Sequence, residues 1–241
     1  MNERVIILCF CIPFLVNSVF NQFVHDDTPA IVRNKDVQGQ TSIKDLLLND
    51  YWGKPMSDPS SHKSYRPLTV LTFRLNRLIF GRSPVSFHIV NILLHLFMVD
   101  RVYSFLIGVK VKNQTAMIAA ILFGLHPIHS EAVANCVGRA EVISSHLVLS
   151  AITYRDQPLI SGIFTFLAMM SKETGVMCLL ILIAIEIISL FRNRENILEN
   201  KLLRFSDLRK NVDTLLYLYT VIPRYTVILE YTVILNNDYV L

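Results

Sequence analysis

The strongest constraint on this fold is a series of apolar runs separated by short polar segments. The runs cover residues 5–20, 85–109, 115–125, 142–154, 159–170 and 175–191. A helix needs about 20 apolar residues to cross a bilayer, and several runs need polar flanking residues to reach that length. The runs therefore predict an all-α polytopic membrane protein with about six spans. The first run also fits a signal peptide, but Asn17-Ser18-Val19 is a poor cleavage site and favours a retained span.

Composition narrows the class of protein. Apolar residues make up 52% of the 241 residues and charged residues 17%, against about 25% charge in soluble domains. A disordered chain is excluded and a soluble enzyme is a poor fit. The net charge of +4 comes without a dense basic patch, so no nucleic-acid partner is expected. Cys9 and Cys11 lie inside the first apolar run, which argues against a disulfide framework.

Basic residues between the runs predict the topology. With six spans, one side of the membrane carries Arg4, Lys110, Lys112, Arg155, Arg192, Arg194, Lys201 and Arg204. Short cytosolic loops are enriched in such residues, so the N-terminus is predicted to be cytosolic. The segments 21–84, 126–141 and 171–174 then share the opposite, luminal side. The sequon at Asn113 falls on the cytosolic side and should stay unmodified.

The long loop 21–84 contains a second kind of apolar pattern. Leu68, Leu71, Leu75 and Leu78 recur at helical spacing, beside Arg74 and Arg77. This spacing predicts an amphipathic helix that lies on the membrane surface or packs against the spans, and the two are compatible.

Polar clusters on the luminal side are the candidate functional residues. The carboxylates of Asp26 and Asp27 could act as a base, as metal ligands or as partners of a donor phosphate, or they could lie in a helix flank or structural turn. His126, His129 and Glu131 resemble a metal set, but Pro127 disfavours a regular helix there and a polar rim fits better.

Three cations complete the luminal clusters. Arg139 and Arg66 are expected to bind phosphate, because a guanidinium matches phosphate oxygens with a fork of donors. Lys172 and Glu173 form a tight turn between the fifth and sixth runs, which could also simply mark the membrane edge. Convergence of carboxylates and cations on one face predicts an enzyme that uses an anionic lipid-linked donor.

The longer motifs resemble the N-terminal part of the transmembrane and tetratricopeptide-repeat family over roughly residues 15–190. The matching segments are 23–31 (FVHDDTPAI), 34–37 (NKDV), 49–53 (NDYWG), 62–73 (HKSYRPLTVLTF), 125–133 (LHPIHSEAV), 138–141 (GRAE) and 171–175 (SKETG).

The resemblance implies a glycosyltransferase C-type fold in the endoplasmic reticulum membrane. It implies transfer of mannose from dolichyl-phosphate mannose to Ser/Thr hydroxyls of cadherin-like acceptors. By the resemblance Asp26 is the catalytic base, with Asp27 as the neighbouring candidate. The same resemblance places a donor pocket at His126, His129, Glu131, Arg139, Lys172, Glu173 and Arg66. No metal ligand is assigned, and the need for a divalent metal stays open.

The chain also departs from the family. Members of the family have more than six spans and a C-terminal array of tetratricopeptide repeats, and no 34-residue repeat follows Lys201. Instead, Tyr-Thr-Val-Ile recurs at residues 219, 225 and 231, which predicts a read-through or mispredicted gene end. The expected organisation is a first span at 1–20, a luminal loop at 21–84, further spans at 85–191 and a cytosolic tail at 192–241. Two alternatives remain, a non-catalytic membrane adaptor or inactive remnant, and a transporter.

Overall fold

The computed structural model describes residues 2–198, and the regular structure among these residues is helical, with no β-strand. The helices are α1 (Glu3–Leu15), α2 (Ile43–Leu46), α3 (Pro67–Phe80), α4 (Pro84–Gly108), α5 (Asn113–Leu125), α6 (Ser130–Ala134), α7 (Arg139–Thr153), α8 (Pro158–Ser171) and α9 (Met177–Leu198). The expected all-α class is confirmed for this part of the chain. The predicted repeat in the tail lies outside the described residues. A first compact unit ends at Ile183, inside α9, and the site described below belongs to it.

Proline and glycine set several helix boundaries. Pro67, Pro84 and Pro158 each occupy the first turn of a helix, where a missing N–H costs nothing and the fixed φ favours the helix. Gly81 follows the last residue of α3 with a φ of 80°, a conformation that side chains rarely adopt. The chain can therefore reverse sharply between α3 and α4.

Two described helical segments are long and apolar enough to cross a membrane. They are Glu3–Phe20, in which a 3₁₀ turn extends α1, and Pro84–Gly108. A third candidate is the pair Asn113–Leu125 and Pro127–Ala134, which is bent by 45°. Pro158–Ser171 is apolar but shorter. Two or three candidate spans thus fit a helical membrane protein, and the expected six spans stay a prediction.

The charged pair inside the second run does not interrupt its helix. Arg4 donates to both carboxylate oxygens of Asp100, at 2.6 and 2.8 Å, and to Ser104 Oγ at 2.9 Å. Arg101 donates to Ser150 Oγ at 3.2 Å. Because both charges have partners, α4 continues through them for 25 residues.

Small residues let the apolar helices approach closely. A Cβ added at Gly124 of α5 would lie 2.8 Å from Cys11 Sγ and 2.9 Å from a methyl carbon of Val99. Glycine at this position therefore permits the contact of α5 with α1 and α4, as small residues do between membrane helices.

The loop before α3 is folded onto the helices. Ile31, Val37, Leu46 and Tyr51 of the loop form one buried cluster with Val70, Phe73, Phe87 and Cys136. Helix α3 faces this cluster with Val70 and Phe73, while Leu75 and Leu78 are 47% and 76% exposed on its other side. The expected amphipathic helix is present, and its exposed leucines form the face that was predicted to meet a membrane.

Candidate active site

The two adjacent carboxylates have different surroundings. Asp26 is exposed, whereas Asp27 is fully buried. The Oδ1 atom of Asp27 accepts from the Val137 N–H at 3.0 Å and its Oδ2 atom accepts from the Val24 N–H at 3.2 Å. The Asp27 carboxylate thus links the first loop to the segment before α7, and Asp26 is the exposed carboxylate of the pair.

Burial raises the pKa of the Asp27 carboxyl above its ordinary value. The backbone N–H groups of Val24, Val137 and Cys136 act in the opposite direction, because they stabilise the ionised form. The net direction is upward, so desolvation outweighs these hydrogen bonds.

Tyr51 lies where the loop meets the helices. Its hydroxyl donates to the Val137 carbonyl at 3.3 Å. Asp27 and Tyr51 therefore bind the N–H and the carbonyl of the same residue, Val137. The Arg66 guanidinium lies 4.9 Å from the centre of the Tyr51 ring. Burial raises the pKa of the Tyr51 phenol strongly, and the charges of Arg66, Asp27, Arg139 and Asp26 all act on it. Residues from three separate sequence motifs therefore surround this one side chain.

Arg139 is buried completely at the start of α7. Its guanidinium donates to Asn91 Oδ1 at 2.7 Å, Asn76 Oδ1 at 2.9 Å, the Phe87 carbonyl at 3.1 Å and the Thr72 carbonyl at 3.4 Å. The rings of Phe73 and Phe87 lie 4.7 and 5.4 Å from it. Since protein acceptors engage all three of its nitrogens, Arg139 joins α3, α4 and α7 and presents no open face to a phosphate.

Two ion pairs hold the turn after α8. Arg66 binds Glu173 with two atoms, with Nε 2.9 Å from Oε2 and Nη2 2.8 Å from the same oxygen. Lys172 is 4% exposed and forms an ion pair with Glu141 of α7. Thr69 Oγ1 of α3 donates to the Ser171 carbonyl at 2.8 Å. The predicted residues Arg66, Lys172 and Glu173 are thus brought together.

The histidine motif forms a separate group. His129 packs with ring centres 4.5 Å from Phe123 and 5.3 Å from His95. His126 Nδ1 accepts from the Ile128 N–H at 3.2 Å, and Glu131 is exposed on α6. Within residues 2–198 no group of three or more His, Cys, Asp or Glu side chains is arranged to hold a metal ion. The polar-rim interpretation of these residues stays a prediction.

Several residues of the site were not selected from the sequence. Asn76 and Asn91 are buried against Arg139. The Tyr51 ring contacts Arg66, and Glu141 forms an ion pair with Lys172. Asn91 could have been selected from the sequence, because a polar amide inside a long apolar run needs a hydrogen-bond partner. The sequence contains no comparable signal for the pairing of Asn76 with a residue 63 positions away.

The geometry defines a helical membrane protein whose loop motifs meet beside one exposed and one buried carboxylate. Comparison with known proteins shows what the aligned part of the chain is similar to. The human protein O-mannosyl-transferase TMTC3 is 49% identical over 135 residues, which are 56% of this chain and 15% of that protein. Human TMTC4 is 46% identical over 154 residues, or 58% of this chain and 20% of that protein.

A more distant relative aligns over a larger share of the chain. Protein O-mannosyl-transferase Tmtc1 of Drosophila melanogaster is 37% identical over 184 residues, covering 72% of this chain and 21% of that protein. No family model and no solved structure matches. Over the aligned residues, the resemblance to the transmembrane and tetratricopeptide-repeat family is confirmed. The chain spans between 15% and 21% of the length of these relatives.

Proposed function

We propose that this chain carries the active-site portion of a protein O-mannosyltransferase of the endoplasmic reticulum membrane. The reaction transfers mannose from dolichyl-phosphate mannose to a Ser or Thr hydroxyl of a cadherin-like acceptor protein. The observation that carries this proposal is the pair of carboxylates, because Asp26 is exposed while Asp27 anchors the loop beside it. The similarity to proteins named protein O-mannosyl-transferases supports the same reaction class.

In the proposed reaction Asp26 takes the proton of the acceptor hydroxyl. The hydroxyl oxygen then bonds to the anomeric carbon of mannose, and the bond from that carbon to the phosphate oxygen breaks. A positioned carboxylate contributes through general-base catalysis, and nearby cations stabilise the charge on the departing phosphate. Asp27 acts as a positioning residue through the Val137 N–H.

The donor pocket is proposed on the luminal residues, within a glycosyltransferase C-type fold with about six spans and a cytosolic N-terminus. Arg66, Lys172 and Glu173 are held beside one another by the two ion pairs. His126, His129 and Glu131 are proposed to form a polar rim of the same pocket. For Arg139 we propose a supporting role, because its donors are engaged by protein acceptors. No divalent metal is assigned.

The test is mannose transfer by the complete chain in membranes, using labelled dolichyl-phosphate mannose and a cadherin-domain acceptor. Asp26→Asn should lower the rate at least about 100-fold, the scale of a lost general base, without changing thermal stability. Asp27→Asn should lower both the rate and the stability, because it weakens the tie to Val137. If Asp26→Asn transfers mannose at the wild-type rate, the assignment of the base is wrong.

A specific observation favours a non-catalytic membrane adaptor as the second candidate. The three cations expected to bind phosphate already contact protein groups, with Arg66 on Glu173, Lys172 on Glu141 and Arg139 on two asparagines. This candidate predicts no transfer by the wild-type chain when donor and acceptor are both supplied. Measured turnover by the purified chain would exclude it.

A further inference from the structure

A cavity of about 170 Å³ lies between the first loop and the turn that joins α3 to α4. Its lining combines apolar side chains with a glutamine and two cations: Phe23, Ile31, Val32, Gln38, Arg77, Arg82 and Phe87. None of these residues belongs to the donor pocket proposed above. The cavity is therefore a separate feature of the luminal side.

The two cations of this cavity differ from those of the donor pocket. Arg77 Nε donates to Gln38 Oε1 at 2.8 Å, and Gln38 Nε2 donates to the Ile31 carbonyl at 3.0 Å. Among residues 2–198, neither Arg77 nor Arg82 has a carboxylate within ion-pair distance. Gln38 thus holds Arg77 in place without neutralising its charge, which leaves the cavity positive.

The helix beside the cavity has an exposed apolar face. Leu75, Leu78, Ile79 and Phe80 of α3, beside Arg77, are between 47% and 76% exposed. An amphipathic helix with such a face lies at the boundary between lipid headgroups and acyl chains. The arginines at the end of α3 would then sit at the depth of the headgroup phosphates, which a guanidinium binds with two parallel hydrogen bonds.

The size of the cavity limits the ligand. Pockets that enclose a whole small molecule have volumes of about 300–1,000 Å³, so a cavity of about 170 Å³ accommodates a headgroup and leaves lipid chains outside. We propose that Arg77 and Arg82 bind the phosphate of an anionic membrane lipid, whose chains lie against the exposed apolar face of α3. A glycerophospholipid and a polyprenyl phosphate share this chemistry, and binding measurements can tell them apart.

The test uses the purified complete chain in neutral detergent micelles. Binding of fluorescent phosphatidylglycerol and of fluorescent dolichyl phosphate is measured separately by anisotropy, with inorganic phosphate as competitor. Arg82→Gln should weaken binding several-fold, and the double variant Arg77→Gln/Arg82→Gln at least tenfold. Val32→Phe, which keeps both charges but fills the cavity, should weaken it as well. The matched control is Lys44→Gln, an exposed cation of the same loop, which should leave binding within twofold of wild type.

Each outcome decides the proposal. Loss of binding for both lipids supports a general site for lipid phosphate, and loss for one lipid alone supports the site and identifies its ligand. Unchanged binding of both lipids in the double variant, at wild-type thermal stability, would overturn the proposal. Displacement of the lipids by inorganic phosphate at equal concentration would also overturn it, because the lipid chains would then contribute nothing. The measurement needs no mannose transfer, so it is independent of the proposed reaction.

Discussion

The first loop and the helices behind it bury charge of opposite sign. The loop buries the carboxylates Asp27, Asp36 and Asp50, and the helical part buries Arg139 and, in the turn after α8, Lys172. Loop carboxylates accept from backbone N–H groups and small polar side chains, as Asp50 does from the Trp52 N–H at 2.9 Å and Ser61 Oγ at 2.6 Å. Arg139 donates to carbonyl and amide oxygens instead.

The difference shows how each region obtains a fixed shape. An irregular loop contains many backbone N–H groups that have no hydrogen-bond partner in a helix, and buried carboxylates accept hydrogen bonds from them. Helices satisfy their own backbone, so the buried cation between them binds side-chain amides and the second lone pairs of carbonyls inside the helices, such as those of Thr72 and Phe87. The loop and the helices meet at Val137. Its N–H donates to the Asp27 carboxylate, and its carbonyl accepts from the Tyr51 hydroxyl. Changes on either side should therefore affect the site, but to different degrees.

The largest effect is expected from breaking the helical side at Arg139. Arg139→Met leaves several buried acceptors without a donor, each costing about 1–3 kcal/mol, so we expect a loss of at least about 3 kcal/mol in the free energy of unfolding. Denaturant titration of the purified protein in mild detergent, followed by circular dichroism, measures the change.

The control for this prediction is Arg101→Met, which removes one hydrogen bond of a half-buried arginine, to Ser150. Its cost should stay near or below about 1 kcal/mol. Equal losses in the two variants would show that the network around Arg139 contributes no more than a single bond.

A smaller effect is expected where the turn after α8 packs against backbone. A Cβ added at Gly175 would lie 2.5 Å from the Ala168 carbonyl oxygen and 2.7 Å from the Met169 nitrogen. Because backbone cannot move aside cheaply, Gly175→Ala should cost about 1–3 kcal/mol of unfolding free energy. It should also lower mannose transfer, since Lys172 and Glu173 belong to the same turn.

The matched variant for this prediction is Gly162→Ala in α8. A Cβ at Gly162 meets no atom within 4 Å, so alanine should stabilise the helix by about 0.5–1 kcal/mol. A loss of stability in both variants would contradict the prediction, because the lower backbone entropy of alanine favours folding at Gly162 and no close contact opposes it there.

Local patterns predicted the helices well. The leucine spacing predicted the helix that the structure places at Pro67–Phe80, and the apolar run at 85–109 predicted Pro84–Gly108. These predictions depend on neighbours along the chain. The partner of Asp100 inside the second run could not be predicted in this way, because Arg4 lies 96 residues away.

The sequence predicted which residues belong to the candidate site, but it did not predict which of them contact one another. The motifs pointed to Asp26, Asp27, Arg66, Arg139, Lys172 and Glu173, but sequence does not show which charges neutralise one another. Arg139 and Arg66 look equivalent as phosphate binders in the sequence. The structure separates them, because Arg139 is surrounded by amides and rings and Arg66 is paired with Glu173. Arg66 and Glu173 are 107 positions apart in the sequence, and only folding brings them into contact.

The smallest effect on stability is expected for Asp27 in the loop. The direction of its pKa shift predicts how this effect changes with pH. Burial raises the pKa of Asp27 in the folded protein, so folding favours the protonated carboxyl. Its contribution to stability is therefore present below the ordinary pKa of about 3.9 and is lost as pH rises through the raised pKa. Asp27→Asn does not titrate, so the stability advantage of wild type over this variant should shrink with rising pH. Unfolding measured in detergent between pH 3.5 and 7.5 follows this difference.

An exposed carboxylate of the same loop gives the opposite expectation. Hydrogen bonds from Ser42 lower the pKa of Asp45, in the capping box at the start of α2. Its contribution is present above the ordinary pKa and is lost as pH falls through the lowered pKa. The advantage of wild type over Asp45→Asn should therefore grow with rising pH. Two slopes of the same sign would contradict the distinction between a desolvated carboxylate that ties the loop to Val137 and a solvated one that caps a helix.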